Sequence, residues 1–184
     1  MDDFPELREV PLSEEVVYRG GLVSISEMKV RLPNGRTSLR EIVHHNGGVG
    51  IVAVDDKGDV FLVRQYRIAP GLFTLEIPAG KLDFSAEDPL CAARRELGEE
   101  TGLQAEHMEF LMTILPTPGY STEKLHLFLA TGLSTGQVHH DTDEFLSVVR
   151  MPLEQATRHA MNGRFADAKT ALALLVAGVR LQIP

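Results

Sequence analysis

A single cysteine in 184 residues leaves the chain unable to close an internal disulfide. Cys91 falls inside a predicted helix and reads as a small packed side chain rather than a redox group. Positive charge is scarce too. With 18 Lys and Arg against 26 Asp and Glu the formal charge is -8, and there is neither a Lys/Arg stripe nor interleaving of aromatic and basic residues. Such a chain repels a nucleic-acid backbone, which argues against a polymer partner and leaves a small phosphorylated ligand open. Long apolar runs are missing: the longest, Ala171 to Val179, is too short to span a membrane. The start, MDDFPELREV, is acidic and lacks the basic start and apolar run of a signal peptide, so a soluble, cytoplasmic protein is expected. Repeats and low-complexity tracts are absent.

What is present is apolar content of 43%, enough for a core in one compact domain with an extension. The extension, residues 1–45, contains a predicted hairpin: Leu22 to Arg31 and Ser38 to His45 flank the turn Pro33-Asn34-Gly35. The main domain, residues 46–184, opens with a buried strand from Val49 to Val54. A turn at Asp55-Asp56-Lys57-Gly58 leads to a strand from Asp59 to Arg67, followed by Phe73 to Ile77. Further on, Met108 to Ile114 and Lys124 to Leu129 read as strands around the loop Pro116-Thr117-Pro118-Gly119-Tyr120. Glu144 to Met151 is another strand, and Leu153 to Met161 and Ala166 to Val179 are closing helices. Mixed strands with helices on both sides imply an α/β/α sandwich.

The stretch from Gly80 to Leu103, GKLDFSAEDPLCAARRELGEETGL, organises the rest. Asp88 is a good N-cap and Pro89 a good first helical residue, while Gly102 suits a left-handed C-terminal cap. In the helix between them Leu90, Ala93 and Leu97 share one flank, and Glu96, Glu99 and Glu100 lie within about 100° of each other on the next. Those glutamates are badly placed for stability. Each like-charge pair at i,i+3 or i,i+4 costs about 0.2 to 0.5 kcal/mol, and the last turn of a helix disfavours anions. A bound cation reverses all these signs at once, and clustered carboxylates are hard oxygen ligands of the kind Mg²⁺ or Mn²⁺ takes. The alternative is a solvated acidic face partly neutralised by Arg94 and Arg95.

The run Glu87, seven residues, Arg95-Glu96-Leu97, one residue, Glu99-Glu100, one residue, Gly102-Leu103 resembles the signature of the Nudix hydrolases. That family's pattern places five residues between its leading Gly and the first Glu; here six separate Gly80 from Glu87. The extra residue falls in a loop, where insertion is cheap. Within the family the arrangement is similar to ADP-ribose pyrophosphatases, through the N-terminal hairpin, the strand end Gln65-Tyr66-Arg67 and Pro118. The resemblance implies a Nudix α/β/α fold with a mixed sheet. It implies Mg²⁺, with Mn²⁺ as the alternative, held by Glu96, Glu99, Glu100 and the backbone carbonyl of Ala79. Arg95 and Glu87 would pair to fix the loop against the helix. Arg67 would meet the substrate, Arg40 and Glu41 would help hold ADP-ribose across a homodimer with swapped hairpins, and Pro118 would go with ADP-ribose preference. For Pro118 the plain alternative is an ordinary loop proline, and for Arg67 a surface arginine at a strand end.

Pyrophosphate hydrolysis needs charge neutralised on the phosphoryl oxygens and a water aimed in line at phosphorus, with a carboxylate to take its proton. The family often draws that base from an acidic loop after the signature. Here the loop is His139-His140-Asp141-Thr142-Asp143-Glu144-Phe145, with Thr142 where a Glu is common. Glu144 is the choice, with Asp143, Asp141 and Glu99 as alternatives. His139 and His140 point opposite ways if extended, and His44, His45, His107, His126 and His159 show no ligand spacing. Tyr18 lies where relatives place base-binding residues, although Gly21 stands where an aromatic is sometimes found. Asp167-Ala168-Lys169-Thr170 resembles a family feature that packs the last helix, with no chemistry assigned to it. The expected reaction is hydrolysis of ADP-ribose, or a similar nucleoside diphosphate sugar, to AMP and ribose 5-phosphate. The alternatives are a GDP-mannose or other nucleotide-sugar or dinucleotide hydrolase and a non-catalytic nucleotide sensor.

Overall fold

A computed structural model describes residues 4–136 and 145–182. It divides into two compact units, Met1–Asn46 with Thr117–Glu123, and Gly47–Pro116 with Lys124–Pro184.

In the first unit, strands β1 (Val10–Arg19), β2 (Ser24–Arg31) and β3 (Thr37–His44) form an antiparallel sheet in that order. β2 and β3 are the expected hairpin. Its turn is closed by Gly35 N–H donating to the Leu32 carbonyl and Arg36 N–H donating to Asn34 Oδ1. β1 was not expected: it carries a proline, is broken by two register shifts, and every one of its residues is exposed, so no inward-outward alternation marks it. The segment Thr117–Glu123 joins this unit rather than staying with its sequence neighbours. Val43 N–H donates to the Tyr120 carbonyl, and Thr122 N–H donates to the Val43 carbonyl, at 2.8 and 2.9 Å.

In the second unit, seven strands make one mixed sheet. These are β4 (Gly48–Val54), β5 (Asp59–Arg67), β6 (Leu72–Glu76), β7 (Ala79–Lys81), β8 (Leu103–Ile114), β9 (Leu125–Thr135) and β10 (Leu146–Pro152). The order β10-β5-β4-β9-β8 is antiparallel except for the parallel pair β4 and β9. Helix α1 (Pro89–Thr101) follows β7, and α2 (Leu153–Met161) and α3 (Ala168–Arg180) close the unit. All of β4 is buried, as its unbroken apolar run demands. Val49, Ile51 and Ala53 join Ala92, Ala93 and Leu97 of α1 in one core cluster. Val52 and Val54 join Leu153, Ala156, Leu174 and Ala177 of α2 and α3 in the other. Two apolar layers on opposite faces of β4 make this unit the expected α/β/α sandwich. None of the helices among the described residues is long and apolar enough to cross a membrane.

Two local expectations fail on α1. Cys91 is exposed, not packed, because the buried face of the helix runs through Ala92, Ala93, Glu96, Leu97 and Glu100. Leu90 is mostly outside that face for the same reason. The other edge of β4 is divided: Ala53 and Val54 pair with β5, whereas Gly48 to Gly50 pair with β7. That division seats strand β7, with Pro78 before it, beside α1.

Candidate active site

Helix α1 is set against β7 by its ends and by one glycine. Asp88 caps the start, accepting from Leu90 N–H at 3.1 Å, and Gly102 ends it at φ 69°, where a side chain would be strained. Gly80 is required for another reason: a β-carbon there would lie 2.0 Å from Glu96 Cδ. The Glu96 carboxylate therefore lies directly over the backbone of β7. Glu96 and Glu100 are 8% and 3% exposed, an unusual depth for two acids one turn apart on a helix. Glu100 Oε2 accepts the Ala79 N–H at 2.8 Å, so both acids face the same short strand.

Arg95 is the hub of the remaining charges. Its Nη1 lies 2.6 Å from Glu96 Oε1 and 3.2 Å from Glu99 Oε2. Its Nη2 reaches the Lys81 carbonyl at 3.2 Å and Glu87 Oε1 at 3.5 Å, with Asp83 Oδ2 at 3.9 Å. Glu87 also accepts Asp83 N–H at 2.7 Å, which closes the lengthened loop onto the helix. Burial opposes the charge on Arg95, but Glu96, Asp83 and Glu87 more than offset it and raise its pKa. Arg94 takes no part in neutralising the acids, since it donates to the Ala105 carbonyl on another side.

In this arrangement Arg95 is the cation of the cluster. Among the described residues no three His, Cys, Asp or Glu side chains stand close enough to ligate one ion. The donor chemistry nonetheless fits a hard divalent cation: two carboxylates withheld from water, a third beside them, and a glycine at 80 whose missing side chain leaves room for the Glu96 carboxylate.

A second charged cluster was not foreseen. Pairing of β5 with β6 sets Val63 opposite Glu76 and Gln65 opposite Thr74, so Arg67, two positions on, shares their face. Arg67 Nε and Nη2 each donate to Glu76 at 2.9 Å, and Thr74 Oγ1 donates to the same carboxylate at 2.6 Å. Lys169, on the first turn of α3, is ion-paired with Glu76 as well and lies 3.0 Å from Asp167 Oδ2. Burial would raise the Glu76 pKa, but the bond from Arg67 and the charge of Lys169 win and hold it at about 2. Thr170 Oγ1 accepts Ile77 N–H at 2.9 Å, tying the end of β6 to α3. No local pattern could have linked Glu76 to a lysine 93 residues away.

The candidates of the first unit do not form one group. Arg40 pairs with Glu9 and donates to Ser38 Oγ and the Leu39 carbonyl. Glu41, its neighbour on β3, points to the opposite face and stands opposite Glu27, itself opposite Glu15. On Arg40's face, the buried Ser26 hydroxyl donates to Glu14 at 2.5 Å and meets His44 Nε2 at 2.7 Å. Pro118 sits in the turn that Tyr120 and Ser121 N–H close onto the Thr117 carbonyl. A polar cavity of about 460 Å³ is lined by Arg19 to Ser24, His44, His45, Asn46 and Thr122. Glu144, Asp143, Asp141, His139 and His140 lie outside the described residues.

Comparison with known proteins agrees with this geometry. Residues 44–173 match the NUDIX domain. The chain is 39% identical over 168 residues to a protein of Bacillus methanolicus named methanol dehydrogenase activator, covering 90% of each. It is 38% identical over 170 residues to the ADP-ribose pyrophosphatase of Bacillus subtilis (strain 168), covering 91% of each. A solved structure titled as an ADP compounds hydrolase superposes with a TM-score of 0.81 at 27% identity, over 95% of both chains. A family match across most of the chain, with relatives alike over nine-tenths of its length, means that this chain belongs to the Nudix hydrolase family.

Proposed function

We propose that the protein hydrolyses the pyrophosphate bond of ADP-ribose, or of a similar nucleoside diphosphate sugar, giving AMP and ribose 5-phosphate. The observation that carries this reading is the acidic end of α1: Glu96 and Glu100 are buried against Ala79 and Gly80 of β7, with Glu99 beside them. The relative named an ADP-ribose pyrophosphatase, alike over nine-tenths of both chains, supports the substrate class.

Glu96, Glu99, Glu100 and the Ala79 carbonyl would hold Mg²⁺, with Mn²⁺ as the alternative. Such an ion supplies charge neutralisation at phosphoryl oxygens and acidifies water. The chain's own part is to aim the carboxylates: Arg95 contacts Glu96 and Glu99, and Ala79 N–H donates to Glu100. Arg67, held at its Nε edge by Glu76, presents its other N–H groups to an anionic substrate. A water oxygen bonds to phosphorus as the bridging P–O bond breaks, and its proton passes to Glu144 or Glu99. Arg40, Glu41 and Pro118 remain assigned to substrate binding, with a second copy of the chain completing the site.

Chromatography of products tests this directly. The protein is incubated with ADP-ribose, GDP-mannose and diadenosine polyphosphates, each with Mg²⁺ and again with excess chelator. Chelator-sensitive release of AMP from ADP-ribose is expected. Faster turnover of GDP-mannose would discard the substrate, and binding without turnover of any would favour a sensor.

A further inference from the structure

We infer that Lys169 is a positioning residue for Arg67: from the first turn of α3 it balances the buried Glu76 carboxylate, leaving Arg67 oriented and its charge available to an anionic substrate. This rests on the reading of Arg67 as an arginine that meets substrate.

The geometry begins with Glu76, whose side chain is 3% exposed while that of Arg67 is 42% exposed. Two of the five guanidinium N–H groups are spent on the Glu76 fork. The others have no partner among the described residues, and they lie on the outer part of the side chain. A fork of this kind fixes direction, which an extended arginine otherwise lacks. It also carries a drawback: one carboxylate cancels one guanidinium, and a neutral pair attracts a pyrophosphate weakly.

Lys169 lessens the drawback. Its ammonium, largely enclosed, contacts Glu76 Oε2, the oxygen that Arg67 Nη2 also bonds, and Asp167 Oδ2. Asp167 also caps α3, accepting Thr170 N–H at 3.0 Å at the positive end of the helix dipole, and its carboxylate acts on Arg67 as well. With Asp167 counted, the charges of Arg67, Glu76, Lys169 and Asp167 balance, and loss of the Lys169 ammonium would leave the group with an excess negative charge beside Arg67, its most exposed member. The adjacent tie from Ile77 N–H to Thr170 holds the end of β6 against this turn of α3, so the lysine meets Glu76 in one register.

A purely structural ion pair would give a different result, and kinetics separates the two. KM and kcat for ADP-ribose are measured with Mg²⁺ for Lys169→Met, the milder Lys169→Gln, Lys169→Arg and Arg67→Lys, with melting temperatures recorded alongside. Loss of the ammonium should raise KM about tenfold and leave kcat within about threefold, the pattern of lost uniform binding. Lys169→Gln carries the test if Lys169→Met does not fold. Lys169→Arg should recover most of the loss. In an Arg67→Lys background, Lys169→Gln should add less than about twofold, since both act through one group. Unchanged KM in folded Lys169→Gln, with KM raised in Arg67→Lys, overturns the role of Lys169 alone. Unchanged KM in Arg67→Lys overturns the reading of Arg67, and the inference falls with it.

Discussion

Glu76 shows what a single buried carboxylate costs and returns. Folding removes it from water, yet Arg67, Lys169 and Thr74 hold its pKa at about 2 against an ordinary 4.5. A depressed folded pKa means stability that is fully present above the unfolded value and lost as pH falls from about 4.5 toward 2. A shift of this size corresponds to about 3 kcal/mol at neutral pH. Urea denaturation of the wild type and Glu76→Gln at pH 7, 4 and 3 should therefore give a gap that is largest at pH 7 and narrows below 4. A gap independent of pH would mean that the carboxylate's charge contributes nothing and only its shape matters.

Helix α1 was legible almost to the residue, because its signals are local: Asp88 and Pro89 at one end and Gly102 at the other were read directly and stand where expected. Its destabilising acidic end was legible for the same reason, and it makes a prediction with two opposite signs. Without metal, Glu99→Gln relieves like-charge repulsion with Glu96 and loses one partly exposed contact to Arg95, so the melting temperature should move by no more than about 2 °C. With Mg²⁺ at a hundredfold excess over its Kd, the wild type should gain about 2.7 kcal/mol. That gain is worth about 5 to 10 °C for a chain of this size. Glu99→Gln should lose most of that rise and turn over substrate orders of magnitude more slowly. A full Mg²⁺-dependent rise in the variant would remove Glu99 from the metal set. Other elements were hidden because their signals are not local. β1 has no alternation to read, since neither face is buried. β7 is three residues long, and the Lys169 tie to Glu76 joins elements far apart in sequence. Cys91 and Arg94 were misread because a helical wheel gives relative angles but not which face the sheet will cover.

For the whole molecule, the unexplained surface is β1. Val10, Leu12, Val16, Val17 and Tyr18 are all exposed on one ten-residue strand, and that strand is the edge of its sheet. An edge with free backbone groups and apolar side chains invites pairing with another chain, and proteins that stay monomeric usually blunt such edges. Glu14 and Glu15 are the only charges within β1 before Arg19, and Glu14 is already engaged by Ser26 and His44. A formal charge of -8 opposes self-association at long range, so an apolar contact has to supply the attraction. These features support the homodimer that the family resemblance implies. Sedimentation velocity should then give a species of twice 20.3 kDa. Val17→Glu places an unpaired charge on the exposed strand and should shift the protein toward monomer at micromolar concentration. The second unit's two core clusters contain no residue of β1, so its folding should be unaffected in circular dichroism. If the dimer carries substrate-binding residues across to a partner, ADP-ribose turnover should fall with dilution in step with the dimer, more steeply for Val17→Glu. A wild-type protein that sediments as a monomer with full activity would assign Arg40 and Glu41 to their own chain's site or to none, and would leave the apolar face of β1 to a different partner.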